Sequence, residues 1–285
     1  MRLVMLTLFA LFAFAANSVL TRSALAFDQI GPGEFMAIRL ISGAVTLAVL
    51  VALRGVRDGM LRHGSVISAA SLLLYTTAFS LAYVTLDAGL GALILFGGVQ
   101  ITMFAGAVIG REKPSAARWL GSLLGMIGLG VLFAPGATVP DVGGALLMGG
   151  SAVGWGIYSL RGRGVSAPLQ ATASNFLIAA PAGALFWFMF PSEIVTNLNG
   201  ILLAIASGAL ASGVGYAIWY ATLPKLDSSL AAIVQLTVPL IALAGGIVFL
   251  GETASWAFMT STVLILSGVF IAVFGPKKAD QITIA

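Results

Sequence analysis

Apolar residues run almost unbroken for membrane-sized lengths along this chain, and polar or charged residues collect in short gaps between the runs. A helix needs about 20 apolar residues to cross the hydrocarbon core of a bilayer. Ten runs qualify, near residues 3–20, 33–53, 66–84, 88–109, 116–134, 142–160, 168–190, 200–222, 228–250 and 254–274. Lipid offers no partner to an unpaired backbone group, so each run is predicted to be a helix; the short alternating strands of a barrel are absent from the sequence. The gaps carry turn chemistry, as in Gly31-Pro32-Gly33, Lys113-Pro114-Ser115, Ala134-Pro135-Gly136 and Leu223-Pro224-Lys225. The predicted fold class is all-α, a polytopic membrane protein of ten transmembrane helices.

The runs repeat at an offset of 140 residues, in a register that pairs single positions. Asp87 falls on Asp227 and Glu112 on Glu252, while Leu86, Leu90, Ala92, Ile101, Gly106, Val108 and Gly128 each meet their own kind. The chain divides into a first repeat over 1–137, a second over 138–276 and a tail over 277–285. Five spans per repeat is an odd number, so the second copy is predicted to be inverted, an arrangement typical of secondary transporters with a site between the halves. Met1-Arg2 and the apolar run after it could pass for a cleaved signal peptide. Its counterpart near 143–160 is internal, so the first run is expected to stay as a span.

Composition narrows the class. Only 8% of the 285 residues are charged, against about 25% in an ordinary soluble domain. Mean hydropathy is +1.06, more than a water-soluble core could hide. Absence of cysteine excludes disulfides and Cys-based metal sites. The net charge of +4 forms no stripe for nucleic acid but punctuates the runs. With a cytoplasmic N-terminus, twelve Lys and Arg residues fall inside (Arg2, Arg54, Arg57, Arg62, Arg111, Lys113, Arg118, Arg161, Arg163, Lys225, Lys277 and Lys278) and only Arg22 outside. By the positive-inside rule both termini, including the tail, are cytoplasmic.

Enzyme chemistry finds no footing. His63 is the single histidine, so a paired-histidine metal site is excluded, and Gly149-Gly150-Ser151-Ala152-Val153 lacks the last glycine of a nucleophile elbow. No catalytic residue, metal or cofactor is expected. Asp87 and Asp227 read as N-caps of the spans that follow them, and Glu112 and Glu252 as turn or capping residues. Arg39 lies within the second run. It is expected to snorkel to the headgroups or to pair with Asp28 or Asp87, rather than to touch a substrate.

Mid-span polar and aromatic residues are the candidate substrate cavity: Tyr75, Phe79, Phe96, Gln100, Trp155, Tyr158, Ser159, Tyr216 and Gln235. Buried amides and phenols must find partners or water. Tyr83, Trp219 and Tyr220, near run ends, are read as aromatic-belt or helix-packing residues. Pro181 and Pro239 sit inside runs, where a lost backbone bond permits a kink. The spacings Gly106–Gly110, Gly121–Gly125 and Gly150–Gly154 are expected to pack spans within one chain, leaving a monomer.

The span-end motifs resemble those of the EamA branch of the drug/metabolite transporter superfamily. The matching stretches are Leu86-Asp87-Ala88-Gly89-Leu90, Gly110-Arg111-Glu112 and Gly121 to Gly130, with Leu226-Asp227-Ser228-Ser229-Leu230, Pro239, Gly251-Glu252 and Gly268 in the second half. Within that branch the chain resembles the YddG-type bacterial aromatic amino-acid exporters. The resemblance implies ten helices around a central cavity, alternating access and outward movement of amino acids across the bacterial inner membrane, with Tyr75 and Trp155 lining the cavity. A proline expected opposite Pro239 is replaced by Val99. The alternatives from other transporter classes are nucleotide sugars or sugar phosphates, which need several fixed cations, and cationic drugs, which want a titrating carboxylate inside the membrane. An intramembrane enzyme or a purely structural membrane protein are the remaining readings.

Overall fold

A computed structural model describes residues 1–55, 61–131, 141–253 and 255–276. Arg57, the Ala134-Pro135-Gly136 turn, Lys277 and Lys278 lie outside the described residues. Helix lies within every apolar run among the described residues: α1 (Arg2–Ala26), α2 (Pro32–Leu53), α3 (Val66–Ala82), α4 (Ala88–Ile109), α5 (Ala116–Val131), α6 (Val142–Arg163) and α7 (Pro168–Met189). The eighth run is α8 (Leu198–Ala206), a π-helical stretch (Ser207–Val214) and α9 (Gly215–Thr222); the ninth is α10 (Ser228–Gln235) and α11 (Val238–Leu250), and the last is α12 (Trp256–Phe274). No strand occurs among the described residues.

Seven helical segments are long and apolar enough to cross a membrane. Val66–Ala82 is apolar but shorter, and α6 is diluted by its seven glycines. Large side chains such as Phe12, Val45, Phe188, Val248 and Phe270 face outward, whereas Asn17, Arg39, Gln100, Ser207, Ser212 and Gln235 are buried. A fold with apolar residues outside and polar ones inside suits lipid as its solvent.

Several helix starts follow ordinary capping chemistry. Ser65, Asp141, Asn197 and Ser255 accept a backbone N–H three residues on, opening α3, α6, α8 and α12. Asp87 and Asp227 meet the N-cap reading in position but not in bonding. They occupy the N-cap positions of α4 and α10, yet neither side chain makes a cap bond. The caps come instead from the opposite half of the chain: Glu252 accepts from Ala88 N at 2.7 Å and Gly89 N at 3.4 Å. Glu112 does the same for Ser228 N at 3.0 Å and Ser229 N at 3.4 Å. Asp87 pairs with Arg22 at 3.3 Å, and Asp227 with Arg118.

These contacts sort the loops into two ends. Ser65, Glu112, Arg118, Arg161, Arg163 and Asp227 meet at one. Arg22, Thr85, Asp87, Asp141 and Glu252 gather at the other.

Candidate functional site

Midway between the ends, α1, α2, α3, α6 and the eighth run converge on one buried cluster, with Arg39 on α2 at its centre. Arg39 is 0% exposed. Its Nε donates to Ser212 Oγ at 3.0 Å, and its Nη2 to the Tyr75 and Tyr216 hydroxyls at 2.9 and 3.0 Å. The rings of Tyr75 and Phe79 lie over the guanidinium, with centroids 5.0 and 4.9 Å from Cζ. This overturns the expected outward reach of Arg39: it neither snorkels nor pairs with Asp28 or Asp87. Hydroxyls and ring faces hold it at depth.

Two glycines make that geometry possible. A Cβ on Gly208 would stand 2.8 Å from Arg39 Cα, so only glycine lets the π-helical stretch lie against α2 at this point. A Cβ on Gly154 would stand 2.8 Å from Tyr75 N; its absence brings α6 against α3 and sets Trp155 beside Tyr75. The π-helix supplies Ser207 and Ser212 on one side of the seam, in keeping with the frequent use of π-turns at functional sites.

A second shell of polarity runs outward from Tyr75. Asn17 donates to the Tyr75 hydroxyl at 3.1 Å, and Ser207 Oγ donates to Asn17 Oδ1 at 2.5 Å. The aromatic side of the cluster centres on Trp155, whose ring lies 5.0 Å from Tyr75, 4.7 Å from Tyr216 and 5.2 Å from Phe14. Its Nε1 donates to Gln235 Oε1 at 2.9 Å. Phe96 stacks on Phe14 at 6.3 Å.

Toward the Arg-rich end, Tyr158 and Tyr220 pack edge to face at 5.3 Å beneath Trp155. Beyond them, at that end, lies a cavity of about 70 Å³ lined by His63, Ser65, Ser68, Arg161, Asn175 and the two tyrosines, among others. Arg161 donates to Ser68 Oγ and Ser65 Oγ on its wall. Ser159 is buried beside the Tyr220 hydroxyl.

The structure therefore brings Tyr75, Phe79, Trp155, Tyr216 and Gln235 together, with Phe96 at the edge and Tyr158 and Ser159 toward the cavity. It sets Gln100 apart, donating to Ser122 Oγ on α5 at 2.8 Å. Tyr83, Trp219 and Tyr220 are all buried, which fits the packing reading and not the belt. Trp219 instead packs on Phe14 at 5.4 Å. α7 runs through Pro181 without interruption, whereas the ninth run breaks at Leu236–Thr237, just before Pro239. Phe14, Asn17, Ser207 and Ser212 were not among the candidates. Asn17 carried a readable signal, a lone amide in an apolar run like Gln100. The two serines did not, because small hydroxyls are common in packed membrane helices.

The pKa of each span-end glutamate reflects its neighbours. Burial pushes the Glu112 carboxyl up, but bonds from Ser228 and Ser229 and the charge of Arg163 outweigh that and hold it below the ordinary carboxylate range. Burial also pushes Glu252 up. The bonds from Ala88 and Gly89 offset only part, and Asp87 adds to the rise.

Known proteins resemble this chain along most of its length. An uncharacterised protein of Pseudomonas aeruginosa is 44% identical over 268 residues, 94% of this chain and 93% of the relative. A Salmonella typhimurium protein named a probable amino-acid metabolite efflux pump is 27% identical over 205 residues, 67% of this chain and 69% of the relative. A solved crystal structure superposes with a TM-score of 0.72 at 21% identity, covering 93% of this chain and 98% of the other; at that identity the likeness concerns the fold. The model of the EamA-like transporter family matches residues 142–274, and the chain belongs to that family of membrane transporters.

Proposed function

We propose that this protein is a secondary transporter exporting neutral amino acids, aromatic ones included, across the bacterial inner membrane by alternating access. The observation that carries this reading is the buried aromatic and polar cluster around Arg39, beneath a small polar cavity at the Arg-rich end. Trp155, Phe14 and Tyr216 offer ring faces to an apolar side chain. The hydroxyls of Tyr75 and Tyr216 and the amide of Gln235 offer hydrogen bonds to its polar end. Multivalent sugar phosphates fit less well, because one guanidinium is the only cation hydrogen-bonded within the cluster.

The reading includes ten crossings in two inverted units, 1–137 and 138–276, in a monomer with both termini cytoplasmic. Exchange of caps supports the inversion: Glu252 closes α4 at one end as Glu112 closes α10 at the other. With the Arg-rich end inside, the cavity over Tyr158 and Tyr220 is the loading vestibule. Counterflow of labelled tryptophan, phenylalanine and leucine into proteoliposomes tests the function. Flux no greater than in empty vesicles for all three would refute it. Because the chain has no cysteine, single cysteines placed in each loop report topology without background. Labelling of Ser166→Cys from outside intact cells would refute the orientation.

A further inference from the structure

Arg39 retains bonding capacity that the protein does not use. A guanidinium carries five N–H donors. Ser212 takes the one on Nε, and Tyr75 and Tyr216 take those on Nη2. Nη1 is buried and has no partner. Buried donors are paired in the large majority of cases, so two idle N–H groups on a cation at membrane depth call for an explanation.

Nor is the charge offset. Tyrosine and serine hydroxyls satisfy geometry but remain neutral. The four ion pairs among the described residues, Arg22–Asp87, Arg118–Asp227, Arg163–Glu112 and Arg163–Asp227, all sit at the two ends of the bundle. An unpaired cation in a low-dielectric interior is expensive, and intramembrane charges usually face the transport path.

We infer that the free Nη1 edge of Arg39 is a carboxylate site, which makes one carboxylate group the required recognition element of the transported molecule. The inference rests on the transporter reading and narrows it. One open nitrogen edge matches one carboxylate, whereas a phosphate would present further charge that no second cation in the cluster could meet. The site also couples binding to both halves of the chain. Arg39 and Tyr75 belong to the first half and Ser212 and Tyr216 to the second, so an anion at Nη1 acts on the seam that alternating access must open.

Purified full-length protein is tested by thermal stabilisation, which follows ligand affinity. The probes are tryptophan, indole-3-acetate, tryptophan methyl ester and tryptamine, each at low and at high chloride with no other carboxylate in the buffer. The two acids should bind at least about thirtyfold more tightly than the ester and the amine, as expected for losing one buried charge pair. Arg39→Gln should erase that ratio, and Arg39→Lys should keep part of it. Equal binding of acid and ester by the wild type would overturn the inference without needing any variant, as would stabilisation by chloride but by neither acid. Should the acids bind selectively while proteoliposomes move no amino acid, the transport reading fails and the Arg39 site stands.

Discussion

α4 and the pair α10–α11 occupy equivalent places in the sequence, 140 residues apart, and they are built differently. Each begins with an aspartate at the N-cap, and each has its first amides closed by a glutamate from the other half. α4 then runs unbroken to Ile109, with Val99 buried in its middle. Its counterpart breaks at Leu236–Thr237, where Pro239 removes an amide and leaves the Gln235 carbonyl without its helical donor. The glutamates differ too. Glu112 meets Arg163 at 2.5 Å, while Glu252 takes part in none of the ion pairs among the described residues. One element is a continuous rod with a lightly held cap; the other is an interrupted rod clamped by charge. In the proposed orientation the clamp is cytoplasmic and the lighter cap external.

The sharpest way to break this contrast is to exchange the residues that create it. Val99→Pro should destabilise the protein by about 3 kcal/mol or more, because it breaks a continuous buried helix. Pro239→Ala should cost less than about 1 kcal/mol, since the backbone there is already interrupted, yet slow counterflow by holding the break closed. Thermal unfolding and initial rates on the same preparations measure both. Equal losses of stability would mean that the break is incidental.

Charge removal comes next in size. Arg163 bonds Glu112, Ser228 Oγ and the Leu226 carbonyl, so Arg163→Ala should cost about 2 kcal/mol, the loss of several charged hydrogen bonds discounted for partial exposure. Asp87→Asn, which removes a partner 61% exposed and leaves Arg22 its bonds to the Tyr83 and Val84 carbonyls, should cost no more than about 1 kcal/mol. Likewise Glu112→Gln should cost about 1 kcal/mol, because an amide oxygen accepts less strongly than a carboxylate, and Glu252→Gln should be close to neutral at pH 7. Larger losses at Asp87 and Glu252 would reverse the assignment of clamp and light cap.

How much of this was legible in the sequence depends on the range of the interaction. The all-helical build was readable, since lipid forces each apolar run to satisfy its own backbone. The Pro239 break was only half readable, since Pro181 carries the same covalent effect and α7 runs through it. The swapped caps were not. Asp87 and Asp227 hold the local N-cap positions, and only packing reveals that Glu252 and Glu112 arrive from about 160 and 116 residues away. Arg39 was misjudged for a related reason. Snorkelling is the cheapest course for an isolated arginine, but Tyr75, Tyr216 and Ser212 hold this one from two other segments, and Gly208 makes room. For Tyr83, Trp219 and Tyr220, distance from run ends leaves belt and packing roles both open, because it does not report the direction in which a ring points.

The smallest expected effect, a dependence of stability on pH, tests the two caps against each other. Glu112 titrates below its ordinary value of 4.5 in the folded chain. Its stabilisation is thus fully present above pH 4.5 and is lost as pH falls through the lower folded value. Glu252 titrates above 4.5 when folded, so the sign is opposite. As pH falls into the window above 4.5 the folded chain takes up a proton that the unfolded chain does not yet bind, and Glu252 favours folding more at the acidic edge than at neutrality. Melting temperatures of wild type, Glu112→Gln and Glu252→Gln across pH 4–8 separate the two. The wild-type advantage over Glu112→Gln should shrink only at the acidic limit, whereas its stability relative to Glu252→Gln should fall as pH rises through the window above 4.5. Differences of the same sign would mean that both glutamates sit in equivalent surroundings, and the contrast between clamp and light cap would then reduce to the helix break alone.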